Sequence, residues 1–388
     1  MSNNLPGNSA TSDSAPEKSS QDDLLKYKIG ISQIPGVGSI LAKKLIAYTG
    51  SLEAVFKESK RNLLRIPGIG DFLADAIINH QKLEKVNAEI EFIQKYDIHY
   101  SFYLDDEYPS RLKQCNDAPV ILYYKGTIDF NKEKVVSIVG TRSATDYGKE
   151  FCAKLVDDLS ARHKDLIVVS GLAYGIDVCA HRAAIRNNVP TIAVLGHGLA
   201  TLYPSAHKNT AREIVNNGAL LSDFTSDVEP DRNNFVKRNR IIAGMADAVV
   251  VVESGKEGGA LITADLANSY NRDVFAFPGR VNDEWSKGCN KLIKTNKAAM
   301  IESVEDLEYI MGWDATSRTQ PKQMSLFNDL TAEEQILVNL LKEENNLMID
   351  VICIRTDLPV SKVSPLLLKL EFMGLIKSLP GKVYRLIS

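Results

Sequence analysis

Six short apolar runs, rich in β-branched residues and separated by amphipathic helical segments, constrain this chain more than any other feature. They are KVVSIVG (134–140), LIVVS (166–170), TIAVLG (191–196), ALLSD (219–223), AVVVVE (248–253) and DVFAFPG (273–279). Each is mostly continuous in its apolar character rather than alternating, so each must be covered on both faces. Runs of this kind joined by helical crossovers imply an α/β fold, a doubly wound parallel sheet with helices on either side. Such sheets take their ligands at the carboxyl ends of the strands. The residues leaving those ends are therefore the candidate site.

The first run exits through Gly140-Thr141-Arg142-Ser143. Glycine permits close backbone approach, Thr141 and Ser143 offer hydroxyls, and the Arg142 guanidinium is a planar fork suited to phosphate. This is no Walker loop, because Gly148-Lys149 is followed by Glu150, and it is not G-x-G-x-x-G. A nucleoside triphosphatase or a dinucleotide enzyme is disfavoured. The second run exits through Ser170-Gly171, with Asp177 just beyond. Asp177 is either a catalytic acid or a turn residue tying down the next helix, the usual role of aspartate there. The fifth run is followed by Gly258-Gly259, which opens a helix with free N–H donors.

Before the fifth run stands NNFVKRNR (233–240), preceded by Arg232. Cations crowded at a helix start oppose the helix dipole, but beside a polyanion they become favourable. Arg232, Lys237, Arg238 and Arg240 can neutralise successive phosphates, and Phe235 can stack on a base, with Asn239 between the last two arginines. The alternative is that some of these arginines pair with Asp231, Asp247 or Glu253 and hold loops. Arg240 is nearest to that role. His181, His197 and His207 complete no metal set, so neither metal nor cofactor is expected.

The flanks differ in composition. Residues 1–22 are rich in Ser, Asn and Pro and are expected to form a disordered tail. Residues 23–98 hold a repeat, IPGVGSILAKKLI from Ile34 and IPGIGDFLADAII from Ile66, 32 residues apart. Each copy is a Pro-Gly-x-Gly turn before an amphipathic helix and resembles the helix-hairpin-helix element, an all-α (SAM-like) domain. Such a turn can hold a phosphate, or the hairpins can serve packing alone. Residues 314–330 read as a linker. Residues 331–388 open on a capping box, Thr331 with Glu334, continue with two short helices and end in a hairpin signal around Pro380-Gly381. That module is winged-helix-like. Its presumed recognition helix, SKVSPLLLKLEFMG, is mostly apolar, favouring packing or protein contact over DNA reading.

The net charge of −3 shows no global attraction to nucleic acid, so any such binding must rest on local charge. The five cysteines are scattered and odd in number, which fits a reducing cytoplasm. No run is long enough to span a membrane and no signal pattern stands at the N-terminus.

Taken in order, YPSRLKQCNDAPVILYYKG, VGTRSATDYGKE, SGLAYGIDVCAHRAAI, VLGHGLATLYPSAHK, FVKRNRIIAGMA, GGALITADLA and DVFAFPG with SKGCNKLI resemble the DNA-processing protein A (DprA/Smf) family. The resemblance implies an extended Rossmann-like domain over 99–313 that forms a homodimer. It would bind single-stranded DNA, protect incoming strands during natural transformation and load RecA recombinase on them. Carried over by motif, Arg142 grips a phosphate, Arg232 and Phe235 contact the strand, and Arg238-Asn239-Arg240 is the Arg-Asn-Arg motif. Two departures, Val236 for the usual proline and Asn296-Lys297 for Gly-Ala, bear on loop shape.

Two further readings stand beside this one. The family's sheet is related to phosphoribohydrolases, which cleave nucleotide N-glycosidic bonds with Gly-Gly-x-Gly-Thr-x-x-Glu. Here that run is Gly258-Gly259-Ala260-Leu261-Ile262-Thr263-Ala264-Asp265, lacking the second glycine turn. In the linker, Gln323-Met324-Ser325-Leu326-Phe327 resembles the pentapeptide that docks on the replicative sliding clamp. Its alternative is packing on the winged-helix-like module.

Overall fold

The computed structural model describes residues 15–79, 84–313, 330–344, 346–379 and 381–387. The chain divides into two compact units, one ending at Asp314 and the other beginning at Ala315. The stretch Gln323–Phe327 lies outside the described residues.

The first unit begins with helices α1 (Ala15–Gln33), α2 (Ser39–Thr49), α3 (Leu52–Lys57), α4 (Lys60–Leu63), α5 (Asp71–Asn79) and α6 (Glu84–Tyr96). Helix α1 takes in residues 15–22, which sequence alone assigns to the tail. Pro16 falls in its first turn, where a missing N–H costs no helical hydrogen bond. Both repeat turns carry a left-handed glycine, Gly36 (φ +81°) and Gly68 (φ +94°), ahead of α2 and α5. The helices share one apolar core, with Ile29, Leu45, Val55, Leu63 and Ile77 buried, and it runs on into Phe102, Ile121 and Tyr123 of the sheet. The hairpins are thus fastened to the sheet's edge.

The sheet has nine strands. Strands β1 (His99–Phe102) and β2 (Ile121–Gly126) flank the short helix α7 (Ser110–Lys113). Then β3 (Lys134–Val139), α8 (Asp146–Arg162), β4 (Leu166–Ser170), α9 (Ile176–Arg186), β5 (Thr191–Val194), α10 (Lys208–Asn216) and β6 (Gly218–Ser222) follow in alternation. Next come α11 (Arg232–Met245), β7 (Ala248–Val251), α12 (Gly259–Ser269), β8 (Asp273–Ala276), α13 (Lys287–Lys294), β9 (Ala299–Met300) and α14 (Val304–Met311). The spatial order is β1-β2-β6-β5-β4-β3-β7-β8-β9. All six expected strands are present and parallel; β2 pairs antiparallel with β6, and β1 with β2. The unforeseen strands are short or carry polar aromatics, as in His-Tyr-Ser-Phe of β1, so no apolar run marks them.

Alternate residues of each strand face opposite layers. Val135, Val169 and Val249 pack with Ile241, Ala243, Ala264 and Ala267 of α11 and α12. Val136, Val168 and Val250 pack with Leu155, Ala180, Ala184 and Leu307 of α8, α9 and α14. The chain builds outward from β3 one way and from β7 the other. The loops after these neighbouring strands therefore leave toward opposite layers and open a crevice between them.

The second unit has α15 (Ala332–Glu343), β10 (Leu347–Met348), α16 (Ile349–Thr356), α17 (Val360–Phe372), β11 (Ile376–Leu379) and β12 (Val383–Leu386). Three helices with a sheet in the order β10-β12-β11 make a winged helix around Leu337, Leu341, Ile352, Val363 and Leu367. The capping box is formed, with the Thr331 N–H donating to Glu334 Oε2 at 2.9 Å and the Thr331 hydroxyl capping Glu334 N.

Candidate nucleic-acid interface

The turn after β3 is pinned on both sides. Thr141 N donates to Glu253 O (2.8 Å), at the end of β7, and Thr141 O accepts from Ile176 N (3.2 Å), where α9 begins. The buried Glu253 carboxylate accepts from Thr145 N (2.9 Å) and from the Thr145 hydroxyl, which itself caps α8 through Gly148 N. Gly140 is dictated by packing, since a Cβ there would lie 2.4 Å from Ile176 Cγ1. Ser143 N donates to Thr141 Oγ1 (3.1 Å), tightening the apex. Arg142 sits on that apex with its side chain exposed. Its guanidinium lies 5.6 Å from the centre of the Phe235 ring, and it has no carboxylate partner among the described residues.

Helix α11 begins at Arg232 under the Asp231 carboxylate, which accepts from Asn233 N (2.8 Å) and offsets the cations at this end. The cations are therefore spread along the helix rather than gathered at its first turn. At about 100° per residue, Arg232, Phe235, Val236 and Asn239 share one stripe, and all four line the crevice. Lys237 is exposed, away from the crevice lining.

Arg238 points inward and is 4% exposed. Its Nη1 donates to Val194 O, at the end of β5. Burial pulls its pKa down to about 10, still charged at neutral pH, and the buried Asp177 carboxylate opposes that shift. Gly171 makes room for this guanidinium, because a Cβ there would stand 2.3 Å from Arg238 Nη1. Ser170 is likewise buried and donates to Ile138 O (2.6 Å). Ser170 and Gly171 thus lie beneath the crevice and outside its lining, where they support the Arg238 guanidinium and the end of β3. Arg240 pairs with Asp223 (2.6 Å) and donates to Asp117 O. It braces loops as the alternative reading has it, though through a carboxylate that reading did not name.

The third wall is the exit from β7. Ser254 N donates to Trp285 O (2.7 Å) and Gly288 N to Ser254 O (2.8 Å), tying this loop to α13. Gly258 precedes α12 with no side-chain cap, so first-turn N–H groups are left for a ligand. Gly258 and Gly259 both line the crevice, and Asn239 Nδ2 donates to Gly259 O (3.4 Å). The result is an open groove of about 910 Å³ that brings together Gly140, Thr141, Arg142, Ser143, Arg232, Phe235, Asn239, Gly258 and Gly259, with Asp177 and Arg238 in its floor.

Sequence reasoning missed Tyr203 and Trp285, which also line it. The Tyr203 ring lies 5.6 Å from that of Phe235 at 34°, extending the aromatic surface. Its signal was an aromatic three residues after the small turn Gly198-Leu199-Ala200, beyond the end of β5. The buried histidines are structural: His181 Nδ1 meets Thr191 Oγ1 (2.8 Å), with burial first lowering its pKa to about 3, and His207 Nδ1 meets Leu172 O (2.8 Å). Among the described residues no cluster of His, Cys, Asp and Glu could hold a metal, and no helix is long and apolar enough to cross a membrane.

A doubly wound sheet with an open, cation- and aromatic-lined groove at its switch point, accompanied by a winged helix, defines a class of Rossmann-like proteins built for an extended anionic ligand. Residues 99–311 match the family described as DNA recombination-mediator protein A, and residues 320–382 match the DprA winged helix domain. The chain is 33% identical to Protein Smf of Synechocystis over 92% of its own length and 98% of the relative's. It is 42% identical to DNA processing protein DprA of Streptococcus pneumoniae over 53% of this chain and 71% of that one. The solved structure of the Streptococcus pneumoniae protein superposes with a TM-score of 0.64 at 33% identity, covering 73% of this chain and 97% of that one. A Helicobacter pylori DNA processing protein A structure that describes a single-stranded DNA binding mode superposes with a TM-score of 0.50 at 28% identity, over 56% and 97% of the two chains. The chain belongs to the DprA/Smf family of DNA recombination mediators.

Proposed function

We propose that this protein binds single-stranded DNA in the switch-point groove and acts there as a mediator, without catalysing a reaction. One observation carries the reading: the exposed Arg142 guanidinium, free of any carboxylate among the described residues, stands over the Phe235 ring beside an uncapped helix N-terminus. A cation, an aromatic face and free N–H donors at one place match the backbone and bases of an unpaired strand. A duplex keeps its bases stacked and offers Phe235 no base face. The Helicobacter pylori relative, whose structure describes a single-stranded DNA binding mode, supports the same assignment.

In this reading Arg142 and Arg232 hold phosphates, Phe235 and Tyr203 stack on bases, and Lys237 contributes only longer-range attraction. Arg238 and Arg240 hold the groove's shape. The finer role is protection of incoming strands in natural transformation and loading of RecA recombinase, by a homodimer. The hydrolase alternative is the weaker reading: Asp265, the acid it needs, lines the groove but is ion-paired with Lys297 at 2.7 Å, and the second glycine turn of that motif is replaced by Leu261. The test is binding of single- and double-stranded oligonucleotides by the full chain and by Arg142→Ala. The expected result is preference for single strands and a loss with Arg142→Ala that is alike for all sequences. Equal affinity of the two proteins for single strands would remove the groove from the account.

A further inference from the structure

A second groove of about 660 Å³ opens beside the first. Its floor is apolar, with Leu195, Leu199 and Leu220, and its rim carries Lys125 of β2 with Lys208 and Arg212 of α10. Among the described residues no aspartate or glutamate lines it. Lys208 and Arg212 are exposed and carry no ion pair among the described residues. One helical turn apart, they project from the same side of α10 with Cβ atoms about 6 Å apart. Lys125 Nζ donates to Tyr96 O (3.0 Å), which fixes its stem along the rim.

The two grooves share a wall, the loop from Leu195 to Ser205. Gly196 is pressed against Phe235, where a Cβ would come 2.6 Å from a ring atom. Tyr203 faces the first groove, whereas its neighbours Leu202 and Ser205 line the second. A strand passing from Phe235 across Tyr203 therefore arrives at Lys208 and Arg212. The second groove repeats the chemistry a single strand needs, apolar surface for bases and unpaired cations for phosphates. An acidic amphipathic peptide would suit the lining too, but the adjacency to the aromatic and cationic first groove favours a single strand.

We propose that this second groove is an accessory single-strand site, continuing the DNA path beyond the switch-point groove, with Lys208 and Arg212 on successive phosphates. The proposal rests on the reading of the first groove, and the test separates the two. Oligothymidylates of roughly 4 and roughly 16 nucleotides, the span of common single-strand site sizes, are titrated against wild type, Arg142→Ala and the double variant Lys208→Ala/Arg212→Ala. The double variant is expected to bind the short oligonucleotide as wild type does. It should bind the long one about tenfold more weakly, with a salt slope shallower by about 1.4 for two lost phosphates at about 0.7 each. Unchanged affinity for the long oligonucleotide overturns the proposal, as does an equal loss for both lengths, which would mean a diffuse charge effect. Unchanged DNA binding with lost RecA stimulation would assign the groove to an acidic partner segment and likewise overturn it. Failure of Arg142→Ala to weaken either oligonucleotide overturns the reading of the first groove and, with it, the continuous path, an outcome distinct from an unaffected double variant. Both substitutions sit on exposed positions, and coincident urea midpoints for the variants and wild type verify that folding is not the cause.

Discussion

Two residues six apart on one helix, Arg232 and Arg238, have the same side chain and opposite tasks. Arg232 is exposed on the groove stripe; Arg238 is buried against Val194 O. The sequence shows both as cations before a strand, and the difference lies in angle. At about 100° per residue, Arg238 falls about 20° from Met245 and about 60° from Ile241, both core residues, whereas Arg232 falls with Phe235 and Asn239. That wheel was available in advance, but a buried arginine is rare enough that the burial itself had to be seen. Arg238→Ala leaves a cavity and an unpaired Val194 carbonyl, and should lower stability by about 2–4 kcal/mol, read from the urea midpoint. A loss of DNA affinity with stability unchanged would instead make it a contact residue. Phe235→Ala should weaken single-strand binding by about 1–3 kcal/mol while leaving the salt slope as in wild type, since stacking displaces no counterions. Isothermal titration at several salt concentrations reads both quantities, and a changed slope would transfer the effect to charge.

Among the elements, β3, β4, β5, β6, β7 and β8 were legible because their runs are apolar and β-branched, and the groove's place followed from their exits. What was not legible is how each exit is finished. Nothing local in Ser-Gly after β4 distinguishes a phosphate-facing turn from one that houses a guanidinium, since both need glycine at a close approach. The helix pair α8 and α9 offers a test of the packing behind the groove. Cys152 of α8 and Cys179 of α9 interact across their interface, and the neighbouring Cys152 side chain is the chief cause that brings the Cys179 pKa down to about 7. Arg186, Arg182 and Lys149 add to it, against desolvation. Cys179 is half-buried and Cys152 buried, with its own thiol raised well above the ordinary value. Cys179 should thus be the thiolate on the alkaline side of about pH 7, and its alkylation rate should rise through that pH and level off, while Cys152 stays unmodified. A midpoint at the ordinary value of 9.0 would mean that Cys152 and the neighbouring cations do not act on the Cys179 thiol in this way. In the winged helix, Lys362 and Lys369 of α17 are paired with Glu333 (3.2 Å) and Glu334 (2.6 Å) of α15. Phe372 stands 84% exposed on the same helix. Both features favour packing or protein contact for α17 over reading a duplex.

At the scale of the molecule, a net charge of −3 repels DNA weakly, so the proposed attraction must be local. With Arg238 and Arg240 engaged internally, two to three cations (Arg142, Arg232 and the nearby Lys237) remain for a strand in the first groove. The plot of log affinity against log salt should then fall with a slope of about −1.4 to −2, at about 0.7 per phosphate. A slope near zero for a short oligonucleotide would contradict charge-based grip altogether. The overall architecture was readable because a repeat, a strand-helix alternation and a capping box each speak locally. The antiparallel edge of β1 and β2, and the merging of the hairpin core with it, depend on contacts between distant segments that no local pattern carries.

The groove's walls come from the exits of β3 and β7, with helix α11 and Trp285 completing it, so they span the chain from Gly140 to Trp285. A polypeptide still emerging from the ribosome exposes Arg142 long before its companions exist. The groove is therefore complete only once the chain has been made as far as Trp285 and the turn carrying it has folded.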